Sequence, residues 1–156
     1  MPRTTRRAPA SLFLLLLALA SACQPSEQRP GLWLSGEPAP LPEDWSFTDA
    51  HSEIAIEVRT PYGLPHSVTI WCAFADGRLF VAARDPEEKR WPGWVARDPE
   101  VRLAIDGRLY DAKLLHLDDP DWIAPVRRAY AAKYQLEDPP PAGAPPLRYW
   151  QVVPRG

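Results

Sequence analysis

Two Asp-Gly dipeptides, each set between segments of alternating hydrophobicity, constrain the fold of this chain more than any other feature. Asp76-Gly77 and Asp106-Gly107 are typical of the tight turns that join neighbouring antiparallel strands. On both sides of each dipeptide, apolar and polar residues alternate with the period of a half-buried strand. We therefore expect a mainly antiparallel sheet.

The same alternation predicts six strands in all. A closed barrel would leave no exposed strand edge, so we predict a mainly β fold, a six-stranded antiparallel β-barrel with one or two packed helices. A turn at Pro61-Tyr62-Gly63 separates the first two strands. The apolar positions expected to point inward are Ile54, Ile56 and Val58; Val68, Ile70, Cys72 and Phe74; Leu79, Val81 and Ala83; and Val101, Leu103 and Ile105, with further strands at about 108–117 and 147–153.

One clear helix is predicted between the last two strands. Asp119 is a favourable N-cap residue, Pro120 suits the first helical position, and Asp121 complements the helix dipole. Capping also explains this acidic group more simply than a cation site does. The polar, tryptophan-rich stretch 85–97 is expected to form a long loop or a short helix.

The N-terminus has the pattern of an export signal. Arg6-Arg7 precede an apolar run that is too short to span a bilayer comfortably, and small residues follow it up to Ala22. We predict a signal peptide over residues 1–22. Cys23 stands directly after the small residues, and this arrangement resembles a bacterial lipobox, although Ala20 occupies a position where leucine is more usual. An ordinary signal peptide followed by a coincidental cysteine is the alternative.

The lipobox resemblance implies lipidation of Cys23 and attachment to the membrane. Gln24 rather than aspartate follows the cysteine, which implies a periplasm-facing location, in the outer membrane of a Gram-negative envelope. Residues 23–44 are rich in proline, serine and glutamate and are predicted to form a tether. Trp33 and Leu34 are expected to dock on the domain or on the lipid surface. The folded domain is assigned to residues 45–156.

Composition excludes several classes of function. The chain carries a net charge of −2 and has no basic tract interleaved with aromatic residues, so nucleic acid is a poor partner. Cys72 has no second cysteine to pair with in the mature chain and is expected to be a small buried hydrophobe. His51 and His116 show no metal-ligand spacing, and no serine-hydrolase elbow or nucleophile–base pair is present.

The order of short motifs resembles that of a known family. Gly63-Leu64-Pro65-His66, Asp76-Gly77-Arg78-Leu79, Lys89-Arg90-Trp91 and Asp98-Pro99-Glu100-Val101 follow one another as in the split-barrel flavoproteins, the pyridoxamine-5′-phosphate-oxidase-like proteins and deazaflavin-dependent reductases. The resemblance spans about residues 53–117. It implies a homodimer with FMN or a deazaflavin in the groove between the two subunits.

The resemblance also implies a set of cofactor-binding residues. Arg84 and Lys89 could hold a phosphate, because it favours charge-assisted donors, and Trp91 could cover a flat ring. The structural alternatives are that the charged residues form a solvated surface turn and that the tryptophan fills the end of the barrel. For His66, the alternative is a surface or hydrogen-bonded structural residue. The candidate cofactor residues are Arg59, His66, Ser67, Thr69, Arg84, Lys89 and Trp91.

Two functions remain open from the sequence. One is an envelope lipoprotein that acts as an FMN- or deazaflavin-dependent oxidoreductase, in which the cofactor supplies the redox chemistry. The other is a non-catalytic lipoprotein that binds a ligand or a protein on a barrel that has lost its cofactor. In the second case, alanine at Lys89 or Arg84 would leave ligand binding unchanged.

Overall fold

The computed structural model describes residues 31–156, which form seven strands and two α-helices. The predicted signal peptide and Cys23 lie outside the described residues. Two short 3-10 helices, Ser46–Ala50 and Pro86–Glu88, complete the structure. The strands are β1 (Glu37–Ala39), β2 (Glu53–Arg59), β3 (Pro65–Ala75), β4 (Arg78–Arg84), β5 (Glu100–Ile105), β6 (Arg108–His116) and β7 (Leu147–Val153), and the helices are α1 (Trp91–Val95) and α2 (Pro120–Tyr134).

Strands β2 to β7 close into the predicted six-stranded antiparallel barrel. Their order is β6-β5-β2-β3-β4-β7, and a further pairing between β6 and β7 joins the two ends of the sheet. Strand β1 is an additional strand that pairs in parallel with the first part of β6, whereas β7 pairs with the last part. Strands β1 and β7 therefore share one edge of β6, and each pairs with a different part of it. The fold class read from the sequence is therefore confirmed.

Both Asp-Gly dipeptides form the hairpin turns that the sequence predicts. Asp76 and Gly77 have φ of 48° and 77°, and Asp106 and Gly107 have 50° and 72°. Two successive positive φ angles match the twist of neighbouring strands, which is why Asp-Gly is favoured here. These turns fix the registers of β3 with β4 and of β5 with β6.

The main hydrophobic core fills the barrel and includes the apolar residues of the predicted inward positions. Near the β5–β6 turn, Trp45 packs edge-on against Tyr110, with 5.5 Å between ring centroids. On α1, Trp91 packs against Trp150 at 4.9 Å. Indole rings thus contribute to the packing on both sides of the barrel interior.

Helix α2 begins where its capping residues predict. The Asp119 carboxylate accepts a hydrogen bond of 2.9 Å from the backbone N–H of Asp121, and Pro120 starts the helix. Val126 and Tyr130 are its fully buried residues. They cover Phe80 and Ala82 on the outer face of β4, positions that alternation alone would leave in solvent.

Residues 31–44, the described part of the predicted tether, pack on the barrel. Gly31 exchanges two backbone hydrogen bonds with Ser67, and Leu34 is buried on the outer face of β2, β5 and β6. Pro38 lies within β1, which a proline tolerates because this strand pairs on one side only. None of the described helices is long and apolar enough to cross a membrane.

Candidate functional site

A cleft on the outer face of the barrel is the best-formed candidate site. It lies between helix α2, the outer face of strands β3, β4 and β7, and the proline-rich segment that follows the helix, and its volume is about 470 Å³. This size suits one organic molecule, and the lining is mainly apolar. The lining residues are Trp71, Arg84, Ile123, Arg127, Tyr130, Ala131, Gln135, Leu136, Glu137, Pro140, Pro141, Ala144, Pro145, Pro146, Leu147 and Tyr149.

Aromatic side chains hold the sheet side of the cleft in place. The Trp71 ring stacks on Tyr134 with 4.6 Å between centroids and 12° between planes. Tyr130 lies 5.2 Å from Tyr149, and its hydroxyl is directed at the carbonyl oxygens of Trp71 and Phe80, at 3.2 and 3.1 Å. Because both the rings and the hydroxyl are fixed, this part of the cleft is rigid before any ligand arrives.

The opposite side of the cleft is a loop that is tied back to α2. The helix ends at Gln135 in the left-handed conformation, with φ of 55°, and the N–H of Leu136 donates to the Ala131 carbonyl. Arg127 on the helix forms an ion pair with Asp138 in the loop. The loop then makes a turn in which the N–H of Ala144 donates to the Pro141 carbonyl at 3.0 Å, and the chain returns to β7. The cleft is therefore shaped by the chain itself.

Arg84 supplies the most available positive charge in the cleft. Its side chain is 56% exposed, and its nearest carboxylate, that of Asp85, is 3.8 Å away. Arg127 is largely balanced by Asp138. Burial raises the pKa of Tyr149 above its ordinary value, with the nearby Arg127 acting in the opposite direction, so this phenol stays protonated at neutral pH. The cleft thus offers one accessible cation beside an apolar surface.

Three of the residues predicted from the sequence lie where β2 ends and β3 begins. Each of them makes contacts there with other residues of the chain. Arg59 forms ion pairs with Asp98 and Glu100, at 3.4 and 3.0 Å. The His66 ring packs edge-on against Trp94 at 5.3 Å. The Ser67 hydroxyl is fully buried and accepts a hydrogen bond of 2.8 Å from the N–H of Gly31.

The other four predicted residues occupy different surroundings. Thr69 points outward on β3 opposite Ala55, as predicted for this face, and Arg84 ends β4 on the rim of the cleft. Lys89 is exposed at the end of the 3-10 turn Pro86–Glu88. Trp91 is only 4% exposed and belongs to the barrel core. Of the seven candidates, only Arg84 lines the cleft.

Sequence reasoning did not single out the helix side of the cleft. Ile123, Arg127 and Ala131 lie one helical turn apart on α2, and they face the proline-rich segment that follows the helix. The available signal was the spacing of these residues beside the buried Val126 and Tyr130. That spacing becomes informative only once the loop is known to fold back over the helix.

Reactive groups do not converge in the described residues. No group of three or more metal-ligating side chains is found within residues 31–156. Burial raises the pKa of the Cys72 thiol despite the opposing effect of the Lys133 ammonium, so the thiol is a poor nucleophile at neutral pH. The cleft itself offers an apolar surface with the exposed Arg84 at its rim.

Comparison with solved structures supports the split-barrel fold. A conserved hypothetical protein from Mycobacterium tuberculosis matches with a TM-score of 0.54 and 17% identity, over 70% of this chain and 77% of that one. A candidate pyridoxamine 5′-phosphate oxidase from Listeria innocua matches with a TM-score of 0.53 and 13% identity, over 71% and 90%. An FAD-binding protein from Mesorhizobium loti matches with a TM-score of 0.50 and 17% identity, over 69% and 82%.

Comparison by sequence assigns the family. No curated protein matches this chain significantly. The family model described as "Uncharacterized protein conserved in bacteria (DUF2255)" matches residues 46–143, which is well over half of the chain and includes the barrel from β2 to β6, helix α2 and most of the cleft loop. The chain belongs to the DUF2255 family.

Proposed function

We propose that this protein is an envelope lipoprotein whose split barrel binds a flavin-type cofactor, FMN or a deazaflavin, and acts as an oxidoreductase. The observation that carries the proposal is the half-open apolar cleft with a fixed aromatic side and the exposed Arg84 at its rim. Structural neighbours of the same fold include an FAD-binding protein and a candidate pyridoxamine 5′-phosphate oxidase, which is consistent with this class of cofactor.

The residues of the cleft fit the parts of such a cofactor. A flat ring system gains apolar contact from Trp71, Tyr149 and the proline-rich wall. A phosphate or another acidic group favours a charge-assisted donor, which Arg84 can provide. No buried side-chain nitrogen or oxygen of the described residues lacks a partner, so the exposed rim supplies the donors.

A bound flavin-type cofactor would supply hydride or electron transfer. The residues of this chain would bind and orient it. Trp71, held by stacking on Tyr134, fixes the ring side, Arg84 holds the acidic end, and the loop tied by Arg127 excludes water from one face. No proton-transfer role is assigned, because Tyr130 and Tyr149 both have raised pKa values from burial.

Flavin titration of the purified protein tests the proposal. FMN and a deazaflavin should bind with quenching of cofactor or tryptophan fluorescence, and Arg84→Ala should weaken binding by about 10- to 100-fold, as expected for loss of one charged hydrogen bond. Arg128→Ala is the matched control, since this exposed arginine lies on α2 outside the cleft lining. Absence of binding at tens of micromolar cofactor would contradict the proposal.

Lys89→Ala separates two locations for the cofactor. If the cofactor lies in the cleft, this substitution should leave affinity unchanged, because Lys89 does not line it. If the cofactor instead lies in a groove between two subunits, as the sequence resemblance implies, Lys89 and Thr69 should matter more than Ile123. A titration of Ile123→Ala beside Lys89→Ala therefore decides between the two locations.

A non-catalytic binding lipoprotein is the second candidate function. It is favoured by one observation: Arg59, Ser67 and Trp91 are already used by ion pairs, a hydrogen bond and core packing within the chain. A barrel of this kind would bind an apolar ligand in the cleft without redox activity. Binding of an apolar ligand with no binding of FMN or a deazaflavin would favour this candidate.

The location and assembly of the protein are further parts of the proposal. Cys23 would carry the lipid, Gln24 favours the periplasmic side of the outer membrane, and two copies would form a homodimer. Mass spectrometry of the membrane-extracted protein would detect acyl chains on Cys23. Sedimentation analysis of the detergent-solubilised protein would then report whether it is a dimer.

A further inference from the structure

We propose that Leu32 and Trp33 form a membrane-docking surface that seats the barrel directly on the bilayer to which the protein is anchored. This inference rests on the lipid anchor of the proposed function, and it adds which face of the molecule meets the lipid. Leu32 and Trp33 are 48% and 63% exposed. They are adjacent in the chain and stand at the start of the described residues.

The segment that carries the two side chains is fixed at both ends. On one side, Gly31 and Ser67 exchange backbone hydrogen bonds of 3.2 and 2.7 Å. On the other, the N–H of Leu34 donates to the Glu57 carboxylate at 2.7 Å, and the Leu34 side chain, 7% exposed, is buried against Ala55, Ala104 and Leu109. Leu32 and Trp33 are thus held outward by the fold.

The length of the chain before this segment limits how far the barrel can move from its anchor. Seven residues separate Cys23 from Gly31. A chain spans at most about 3.3–3.6 Å per residue, so the lipidated cysteine must lie within about 30 Å of Gly31 even when the link is fully extended. A shorter, relaxed link would hold Trp33 at the membrane surface.

The chemistry of the exposed side chains suits a bilayer interface. Tryptophan has an apolar ring and an N–H donor, and it concentrates at the boundary between lipid headgroups and acyl chains. Tyr62 and Leu64 are also exposed, five and three residues before Ser67, in the turn that leads into β3. Because Ser67 pairs with Gly31, this turn lies at the same end of β3 as the segment that carries Leu32 and Trp33.

Quenching by brominated lipid tests this surface. The lipidated full-length protein is reconstituted in vesicles of phosphatidylethanolamine and phosphatidylglycerol whose acyl chains carry bromine near the headgroup. Of the seven tryptophans, Trp33 is the one expected to contact lipid. Wild-type fluorescence should be quenched, Trp33→Leu should lose most of that quenching, and Trp122→Leu, which changes a half-buried residue on α2, should retain it.

Several outcomes would overturn the docking surface. Equal quenching in wild type and Trp33→Leu would show that another face meets the lipid. Conversion of a dimer to a monomer by Trp33→Leu in detergent would assign the surface to a second copy of the chain. Mass spectrometry of the same sample shows whether Cys23 carries acyl chains, so failure of the docking surface can be told apart from failure of the lipid anchor. The flavin titration is independent of both.

Discussion

At the scale of single residues, Cys72 is the group whose surroundings have the clearest consequence for stability. Its sulfur is fully buried, 3.6 Å from the Lys133 Nζ and 3.8 Å from the His51 carbonyl oxygen. Burial raises the pKa of the thiol, with Lys133 opposing and Asp49 reinforcing the shift. The sequence predicted a buried cysteine from alternation alone, but the lysine contact depends on how α2 crosses the sheet.

The raised pKa of Cys72 predicts a loss of stability at alkaline pH. In the unfolded chain the thiol ionises near pH 8.5–9, whereas the folded state keeps its proton to higher pH. The stabilisation is therefore fully present below that range and is lost progressively above it, until pH passes the raised pKa of the folded thiol, with a slope of up to about 1.4 kcal/mol per pH unit. Urea denaturation at intervals between pH 7 and 10 measures this slope.

Cys72→Ala provides the comparison for the pH series. The variant should be less stable at pH 7 because of the small cavity, but its stability should vary less between pH 8 and 10. The raised pKa values of Tyr130, Tyr134 and Tyr149 act in the same direction as pH approaches 10, but both proteins contain these tyrosines, so the difference between the two pH curves reports Cys72. Parallel pH curves for the two proteins would show that Cys72 is not responsible.

At the scale of elements, close approach of two glycines fixes the junction between the N-terminal segment and the barrel. A Cβ atom added to Gly36 would lie 2.6 Å from the Gly107 carbonyl oxygen, and the same oxygen accepts the N–H of Glu37 at the start of β1. No side chain fits between these backbones. The junction of β1 with the β5–β6 turn therefore depends on glycine at position 36.

Gly36→Ala should lower the free energy of unfolding by about 1–3 kcal/mol, because either β1 or the turn must shift to admit the methyl group. Gly93→Ala is the control: its Cβ would meet nothing within 4 Å, and alanine is favoured over glycine in a helix such as α1. We expect that variant to equal or exceed the wild type in stability. Comparable denaturation midpoints for all three proteins would contradict the close approach.

The elements also show what sequence patterns can and cannot predict. Alternation and the Asp-Gly turns specify pairing between neighbours in the chain, so the hairpins and the succession of six strands could be predicted, whereas the pairings β2–β5, β4–β7 and β6–β7 join distant segments. The cleft depends on contacts between distant segments: Arg127 meets Asp138 only after the loop folds back, and Trp71 stacks on Tyr134 across 63 positions. Such contacts leave no local period, and most of the candidate site therefore escaped prediction.

At the scale of the whole molecule, the described part of the chain consists of a barrel with two attached layers that pack on separate areas of its outer face. Helix α2 and its loop cover β3, β4 and β7 and create the cleft. The segment 31–36 covers β2, β5 and β6 through Leu34. The two attachments use different hydrophobic clusters, so the proposed ligand cleft and the proposed membrane-docking surface lie on separate areas of the barrel.

This separation predicts that the N-terminal segment can be released while the barrel stays folded. Leu34→Ala should remove about 2–4 kcal/mol of local packing, since the leucine is buried in a cluster apart from the barrel core. Limited proteolysis should then cut within residues 31–36, and near-ultraviolet circular dichroism and flavin affinity should stay close to those of the wild type.

Leu32→Ala is the matched comparison, because it shortens a neighbouring leucine that is exposed. Its proteolysis pattern should resemble that of the wild type. If Leu34→Ala instead unfolds the whole chain with no preferential cleavage near the N-terminus, the segment is part of one cooperative unit with the barrel. In that case the N-terminal segment and the cleft would be energetically coupled, and loss of Leu34 should also weaken the proposed flavin binding.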